Sequence, residues 1–375
     1  STVNYRVGEV VANMALTRLA DGSVRAYTMS AAHLVVDVTG WFRPASAPAD
    51  DGSGRFVALP PERVLDTRGS SRPGAGATLR VGTDVPADAV AVAVNLTTAD
   101  TEGADVFTVF AAGARRPNAS VLNVDRVNQS RAAAALVPVI DGEFDVYTAF
   151  GNHVIVDLLG YFTGPTDDLN DDVEAADAGL FVPVEPFRVV DTRQPGGADG
   201  GPRLWDRGGR EWATPADQLG VSASAVGALA LNVTVTGTED PGFVTMSAAR
   251  TAPPGTSSVN YSSAQQTVAN AAIVGVSERG VQAVVHEATH LVVDVTGWFT
   301  GEPVAATTAA PVNTPPADRK VTIITDSAIA GVRWNGALAS LQGFVVDHRM
   351  ESCRRLVLAS CSGREGYRPR NVVAE

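Results

Sequence analysis

The chain has 375 residues, enough for two or three domains of ordinary size. Its formal charge of −12 disfavours nucleic acid and anionic lipid as partners. Hydrophobic residues make up 45% of the chain, as in globular proteins, and no apolar run reaches the roughly 20 residues that a membrane helix needs.

Residues 1–43 contain short strand-like stretches, the last of which is His33–Phe42, with the sequence HLVVDVTGWF. The same order of stretches recurs at 120–162, and again at 257–299, where the last ten residues are identical to His33–Phe42. Internal repeats of this kind predict one structural unit that is used several times. Because the chain opens inside a strand pattern, we expect residues 1–43 to be the C-terminal half of a β repeat whose natural N-terminus lies further upstream.

Two longer stretches, 56–164 and 181–301, contain the preceding half of the repeat as well. Phe56–Arg68 aligns with Phe181–Arg193, and both segments end in Asp-Thr-Arg. These stretches are therefore predicted to be two complete repeats, of which the second carries a loop insertion at 194–215.

Each complete repeat shows about eight short apolar runs that are rich in β-branched residues and bounded by Gly, Pro or Asp. No segment of the repeats has a sustained helical period. The pattern predicts a mainly β protein built from tandem β-sandwich, or barrel-like, repeats of about eight short strands. Residues 302–319 are rich in Pro, Thr and Ala and are predicted to form an extended linker.

Residues 320–375 have a different pattern. Lys320–Leu341 is typical of a strand, a tight turn and a plausible helix, and Phe344–Asp347 is typical of a second strand. This order predicts the βαβ opening of an α/β domain. The stretch is too short to close a doubly wound sheet, so we expect the α/β domain to be incomplete.

The repeated strand carries one acidic residue between apolar neighbours, and a buried carboxylate needs a partner. The arginine of Asp-Thr-Arg is one candidate partner, and backbone amides at a turn are another. One acid per repeat falls short of the six to eight oxygen ligands of calcium, so we favour a structural role and predict no metal and no cofactor. The residues assigned this structural role are Asp37, Asp157, Asp294, Asp66, Arg68, Asp191 and Arg193.

The insertion in the second complete repeat contains Trp205, Trp212 and Arg207. Exposed aromatic residues on a loop of a β scaffold commonly stack on sugar rings or anchor a protein partner. The alternative is that the tryptophans fold onto their own sandwich. Under the first interpretation the partner is a cell-wall or extracellular glycan; the oligomeric state stays open.

A possible catalytic residue follows the strand Lys320–Thr325. Ser327 is predicted to lie at a strand-to-helix turn, where the positive end of a helix and backbone amides activate a nucleophile and hold an oxyanion. A serine at such a turn is also an ordinary helix cap.

Three stretches of the C-terminal region, Val321–Ser327, Val345–Asp347 and Cys353–Cys361, resemble the start of SGNH/GDSL-type hydrolases of secreted actinobacterial proteins. The resemblance implies that Ser327 is the nucleophile, although Thr325 replaces the glycine of the family's Gly-Asp-Ser block. The family's catalytic base would lie beyond residue 375. Outside the cell, Cys353 and Cys361 would pair in a disulfide.

The repeats are similar to tandem modules of secreted and cell-surface actinobacterial proteins, which carry Asp-Thr-Arg, Asn-Val-Thr, Val-Asn-Tyr and Val-Asp-Val-Thr-Gly-Trp/Tyr-Phe blocks. The similarity implies an extracellular or cell-surface location and no particular chemistry. We expect an array of surface-attachment, adhesion or spacer modules that contacts envelope or glycan polymer and carries an incomplete hydrolase domain. The alternative is part of a secreted serine esterase or acylhydrolase in which Ser327 is the nucleophile and the repeats are accessory. In either case the chain as given is expected to be inactive.

Overall fold

The structure is a computed structural model. It describes residues 1–44, 54–164, 178–194, 200–201, 203–204 and 206–307, together with the backbone of two strands at 320–325 and 345–350. The chain divides into two compact bodies, Ser1–Val312 and Asn313–Glu375. The protein is predominantly β and contains four antiparallel sheets, which confirms the predicted class.

Residues 54–164, called unit A, form two four-stranded antiparallel sheets. The inner sheet has the order β1-β8-β3-β6 and the outer sheet the order β2-β7-β4-β5. Apolar side chains of both sheets, such as Val92, Phe107, Phe144 and Val156, meet in one buried core. The strands are β1 Phe56–Asp66, β2 Thr78–Gly82, β3 Ala91–Thr98, β4 Asp105–Ala111, β5 Leu122–Val124, β6 Arg131–Pro138, β7 Glu143–Thr148 and β8 Ile155–Phe162.

Residues 178–301, called unit B, repeat this arrangement strand for strand. The inner sheet has the order β9-β16-β11-β14 and the outer sheet the order β10-β15-β12-β13. The elements are β9 Phe181–Asp191, β10 Gly209–Trp212, α1 Ala216–Leu219, β11 Val226–Thr236, β12 Gly242–Ala248, β13 Val259–Tyr261, β14 Thr267–Gly275, β15 Val281–Val285 and β16 His290–Thr300. In each unit, the first four strands are called the front half and the last four the back half.

The inner sheets are buried on both faces, and their side chains alternate in size. In β3, Val92 and Val94 point into the core of unit A, while Ala93 points away from it. The second face forms a separate core between the units, in which Ala93 meets Ala228 and Ala230 of β11. Successive strand residues face opposite sides, so small residues at alternate positions allow two sheets to approach closely.

The N-terminal segment, residues 1–44, contains no strand; Ala20 and Ser23 form an isolated β-bridge within it. The expectation of a strand at His33–Phe42 is therefore wrong for this copy. Its counterpart β16 is hydrogen-bonded to β9 on one side and to β11 on the other. No strand occupies either position beside His33–Phe42 in the described residues, so the same sequence has no ladder to join.

The second body contains two described strands, β17 Lys320–Thr325 and β18 Val345–Met350, which pair in parallel with Lys320 opposite Val345. Parallel strands require a crossover connection. The predicted helix lies outside the described residues. Within the described part of the chain, no helix is long and apolar enough to cross a bilayer.

Gly297 occupies a tight position in β16. A Cβ atom there would lie 2.5 Å from the ring of Phe181 and 3.0 Å from the carbonyl oxygen of Val182. Gly40 is the same residue of the identical N-terminal copy, and a Cβ atom there would have no neighbour within 4 Å.

We therefore expect Gly297→Ala to lower the free energy of unfolding by about 1–3 kcal/mol, because the extra methyl group overpacks the contact with Phe181. The matched variant Gly40→Ala should change it by less than about 0.5 kcal/mol, as for other open surface positions. Urea unfolding followed by near-UV circular dichroism measures both. Equal midpoints for the two variants would contradict this packing.

Candidate functional site

The buried acid of the repeated strand pairs with an arginine on the neighbouring strand in unit A. Asp157 of β8 is fully buried and lies directly opposite Arg63 of β1 in the sheet register. The Arg63 Nε atom donates to Asp157 Oδ1 at 2.9 Å. Burial raises the pKa of Asp157, while the Arg63 guanidinium opposes this shift. The charge therefore stays compensated inside the protein.

Unit B contains the same pair, and in both units this arginine also reaches the aspartate of the Asp-Thr-Arg turn, at 3.5 Å for Arg63 and Asp66 in unit A. The Arg188 Nε atom donates to Asp294 Oδ1 at 2.8 Å, and Arg188 also contacts Asp191 at 2.9 Å. Arg193 approaches the other side of Asp191, with Nη2 2.6 Å from Oδ2. This hydrogen bond from Arg193 lowers the pKa of Asp191 to about 2. Asp191 thus contributes stability above pH 4 that is lost as the pH falls towards 2.

The partner proposed for the repeated acid needs correction. Arg68 does not reach Asp157: its Nε atom donates instead to Asp66 Oδ1 at 2.9 Å, within its own Asp-Thr-Arg turn. The turn places the Arg68 side chain over Asp66, and this hydrogen bond lowers the pKa of Asp66. Asp37 is exposed and has no hydrogen bond or ion pair within the described residues, because no arginine-bearing strand lies beside it.

The threonine of each Asp-Thr-Arg turn contacts the histidine at the start of the repeated strand. Thr67 Oγ1 lies 3.1 Å from His153 Nδ1, and Thr192 Oγ1 lies 3.1 Å from His290 Nδ1. Burial, followed by the charge of Arg203, lowers the pKa of His290. These contacts fasten β1 to β8 and β9 to β16 at the strand ends. Among the described residues, no group of three His, Cys, Asp or Glu side chains could hold a metal ion.

A set of asparagines joins the two units. Asn270 of β14 donates from Nδ2 to Asn95 Oδ1 of β3 at 2.9 Å and accepts the Ala134 backbone N–H at 3.0 Å. Asn95 in turn donates to the Ser257 carbonyl at 2.5 Å. Comparison of the repeats could have identified these residues, but not their partners, which lie in the other unit.

Part of the insertion of unit B forms a strand. Trp212 lies in β10, opposite Val281 of β15, and is partly buried against the core of unit B. Its Nε1 atom is buried and has no acceptor within the described residues. Arg207 is exposed at a turn with a φ of 54°, and Trp205 lies outside the described residues.

The outer sheet of unit A presents a patch of polar and aromatic side chains, called the outer patch, formed by Arg80, Arg116, Glu143, Asp145 and Tyr147. The Arg80 Nε atom donates to Asp145 Oδ1 at 2.6 Å, and its Nη1 atom donates to Glu143 at 2.8 Å. The Arg116 guanidinium carbon lies 3.7 Å from the centroid of the Tyr147 ring, as in a cation–π contact. The hydrogen bond from Arg80 lowers the pKa of Asp145, so this carboxylate is charged at neutral pH.

Unit B does not reproduce the outer patch. By sheet register, Glu211 stands where unit A has Arg80, and Val284 stands where it has Tyr147. Glu211 pairs with Arg250 at 2.9 Å instead. The two units therefore share the polar contacts of their inner sheets and differ on their outer sheets.

A hollow of about 80 Å³ lies between the N-terminal segment and unit B, lined in part by Met14, Leu16 and Asn232. Pockets for small organic ligands span about 300–1,000 Å³, so this hollow is too small for such a ligand. The predicted nucleophile Ser327 and the cysteines Cys353 and Cys361 lie outside the described residues.

Comparisons with known proteins give limited information. No protein family and no curated protein matches the chain. Among solved structures, it is similar to the PBSX exported protein XepA at 13% identity and a TM-score of 0.19, with 71% of this chain and all of XepA covered. It is also similar to the CBM22-1–CBM22-2 tandem of Paenibacillus barcinonensis Xyn10C at 13% identity and a TM-score of 0.15, with 64% of this chain and 86% of the tandem covered. It is also similar to the coconut allergen cocosin at 10% identity and a TM-score of 0.17, with 68% of this chain and 89% of cocosin covered.

The pairing of Arg63 with Asp157 can be tested by removing the arginine. Arg63→Met should lower the free energy of unfolding by about 3–5 kcal/mol at pH 7, because it leaves a buried carboxylate without a compensating positive charge. Arg68→Met is the matched control and should cost about 0–1 kcal/mol, since Arg68 and Asp66 form an exposed pair.

The pH dependence gives a second readout. The Arg63→Met variant should regain stability as the pH falls towards 3, because Asp157 then becomes neutral and its burial no longer penalises a charge. Urea unfolding at pH 7 and pH 3 measures this. A loss for Arg68→Met that equals the loss for Arg63→Met would contradict the assigned pairing.

Proposed function

We propose that this protein is an extracellular attachment or spacer scaffold whose β units contact an envelope or glycan polymer. The observation that carries the proposal is the use of the repeated polar residues. In both complete units, the arginine–aspartate pairs and the threonine–histidine contacts bind one strand to the next. A catalytic centre instead requires convergent polar groups that are free to act on a substrate.

The difference between the outer sheets supports a binding role for unit A. Residues that hold the fold are shared by both units, whereas Arg80 and Tyr147 belong to unit A alone. An open sheet surface suits an extended polymer better than a small molecule, which favours a concave pocket. Tyrosine and arginine provide an apolar face together with hydrogen-bond donors, which is the combination that sugar rings with hydroxyl groups require.

We infer an extracellular location from the resemblance of the repeats to modules of secreted and cell-surface proteins. A chain with a formal charge of −12 also disfavours stable binding to nucleic acid inside the cell.

Binding can be tested by co-sedimentation of the purified protein with insoluble cell-wall glycan. Tyr147→Ala should weaken binding roughly tenfold, the factor that corresponds to about 1.4 kcal/mol, because it removes the apolar face of the outer patch. The matched control is Val284→Ala, which changes the corresponding position of unit B. Equal binding by both variants would remove the outer patch from the proposal, and no binding by the unchanged protein would leave only the spacer role.

A second candidate function is ester hydrolysis with Ser327 as the nucleophile. The parallel pairing of β17 and β18 favours it, because Ser327 follows β17 directly and hydrolases of this class place their nucleophile after such a strand. Under this proposal the β units are accessory modules that bring the enzyme to its polymer.

The measurement is hydrolysis of a p-nitrophenyl ester by the protein as its natural host produces it, alongside the Ser327→Ala variant. We expect release of p-nitrophenol that Ser327→Ala abolishes, since the hydroxyl group is the attacking atom. Equal rates for the two proteins would exclude this mechanism.

A further inference from the structure

The repeated strand is exposed in its N-terminal copy and buried in its C-terminal copy, although the ten residues are identical. Trp41 is 77% exposed, whereas Trp298 is 5% exposed. Val38 is 84% exposed, whereas Val295 is fully buried. Contiguous exposed apolar residues of this kind are uncommon on soluble proteins and mark a binding surface.

The last residues of the three copies lie close together. Each copy ends in a phenylalanine, Phe42, Phe162 or Phe299, and the ring centroids are 6.0, 6.2 and 6.3 Å apart. The N-terminal segment therefore occupies the third position of a triangle whose other two positions belong to units A and B.

The front halves supply two further rings between these corners. Phe56 of β1 lies 5.1 Å from Phe162 of its own unit and 4.6 Å from Phe299 of unit B. Phe181 of β9 repeats the same distances, 5.1 Å to Phe299 and 4.6 Å to Phe42 of the N-terminal segment. Each front half thus fixes a phenylalanine between its own corner and the next one. Only the side between Phe42 and Phe162 has no such ring among the described residues.

The amide contacts place the N-terminal segment in the same way. Asn13 accepts the Ala271 backbone N–H at 2.8 Å, as Asn270 accepts that of Ala134 at 3.0 Å. Asn232 donates to the Ser1 carbonyl at 2.7 Å, as Asn95 donates to the Ser257 carbonyl. The N-terminal segment therefore contacts unit B as the back half of unit B contacts unit A.

Three further contacts join the N-terminal segment, unit A and unit B. The Val10 backbone N–H donates to Asp125 of unit A at 3.1 Å, and the Ser130 backbone N–H of unit A donates to Ser262 of unit B at 2.7 Å. Arg6 of the N-terminal segment contacts the Gln265 carbonyl of unit B. The first part of the segment is thus docked as a back half, whereas most side chains after Leu16, including those of His33–Phe42, are exposed to solvent.

We propose that the exposed face of His33–Phe42 is the docking surface for a third front half of this repeat. Its occupant is a β-segment of the β9 and β11 type, which would pair with the two sides of His33–Phe42 as β9 and β11 pair with β16. In units A and B each front half is carried on the same polypeptide as the back half it pairs with, so we place the third one on the same polypeptide too.

The surface defines what the segment must contain. A phenylalanine at its start fits over Gly40 and between Phe42 and Phe162, since Gly297 accepts the Phe181 ring in that position. An arginine seven residues further along, equivalent to Arg188, faces Asp37. The contact between this segment and unit A lacks one side-chain hydrogen bond, because unit A has Ala133 where the other copies have Asn13 and Asn270.

The test adds a synthetic peptide with the sequence of Phe181–Arg193 to the purified protein and measures amide hydrogen exchange of residues 33–42. The peptide should slow exchange at least about tenfold, which corresponds to about 1.4 kcal/mol. It should also shift the fluorescence of Trp41 to shorter wavelength as the indole leaves water. A peptide of the same composition in scrambled order should do neither.

Two substitutions make the test specific. Gly40→Val places a side chain where the peptide's phenylalanine must lie, and it should abolish protection without changing the unfolding midpoint, because no atom would lie within 4 Å of the added Cβ. A peptide with alanine in place of its first phenylalanine should also fail. Equal protection of Gly40→Val and the unchanged protein, or protection by the scrambled peptide, would overturn the proposal.

The source of the segment has its own test. In a natural form of the protein that includes a third front half, residues 33–42 should already be protected from amide hydrogen exchange. Adding the peptide should not slow their exchange further. Protection that instead rises with protein concentration without peptide, together with dimers in sedimentation velocity, would assign the surface to a second copy and overturn the proposal.

Discussion

The structure depends on one constraint: the central strands of each inner sheet are buried on both of their faces, while the edge strands β1 and β9 are partly exposed. One face closes the core of its own sandwich and the other faces the neighbouring unit. Polar groups in the central strands have little access to water, and an unpaired buried charge or amide costs several kcal/mol. Each polar side chain of the repeated strands therefore needs an internal partner, which the arginine, threonine and asparagine residues of the repeat provide.

This constraint also separates the parts of the molecule that can vary from those that cannot. Asp157 and Arg63 hold two neighbouring strands, and Asn270 with Asn95 holds two units, so a change in one member of either pair leaves its partner unsatisfied. The outer sheets have one face in solvent and carry no such requirement. They are where units A and B differ, and where a binding function can arise without loss of the fold.

Much of this architecture could be predicted from the sequence. The repeats, their β-branched runs and their turn residues predict the mainly β class, because the strand period and the repeat are local properties of the chain. The partner of Asp157 could not be predicted in this way. β1 ends at Asp66, opposite Ile155, so Arg68 lies beyond the ladder, and two register irregularities within β1 place Arg63 opposite Asp157. Bulges of this kind are set by tertiary packing and leave no clear signal in a single sequence.

The tryptophans and the asparagines show the same limit. The sequence leaves open whether Trp212 is exposed on an inserted loop or packs onto its own sandwich; it lies in β10, because unit B needs a strand beside β15 as unit A does. Asparagine is common at bends, but Asn95 and Asn270 lie within β3 and β14. Their amides meet across a junction between residues that are far apart in the chain, and periodicity within one repeat does not reveal such contacts.

The two identical copies of HLVVDVTGWF give the clearest separation of local and tertiary effects. β16 is a strand with ladders on both sides, whereas His33–Phe42 has the same propensities and forms no ladder. Intrinsic β-propensity spans only about 1 kcal/mol and mainly reflects packing against neighbours. The strand is therefore created by the front half that flanks it. Phe42 already packs near Phe162 and Phe299. A front half that binds beside it therefore loses no further conformational entropy in fixing Phe42, and only the strand pairing remains to be formed.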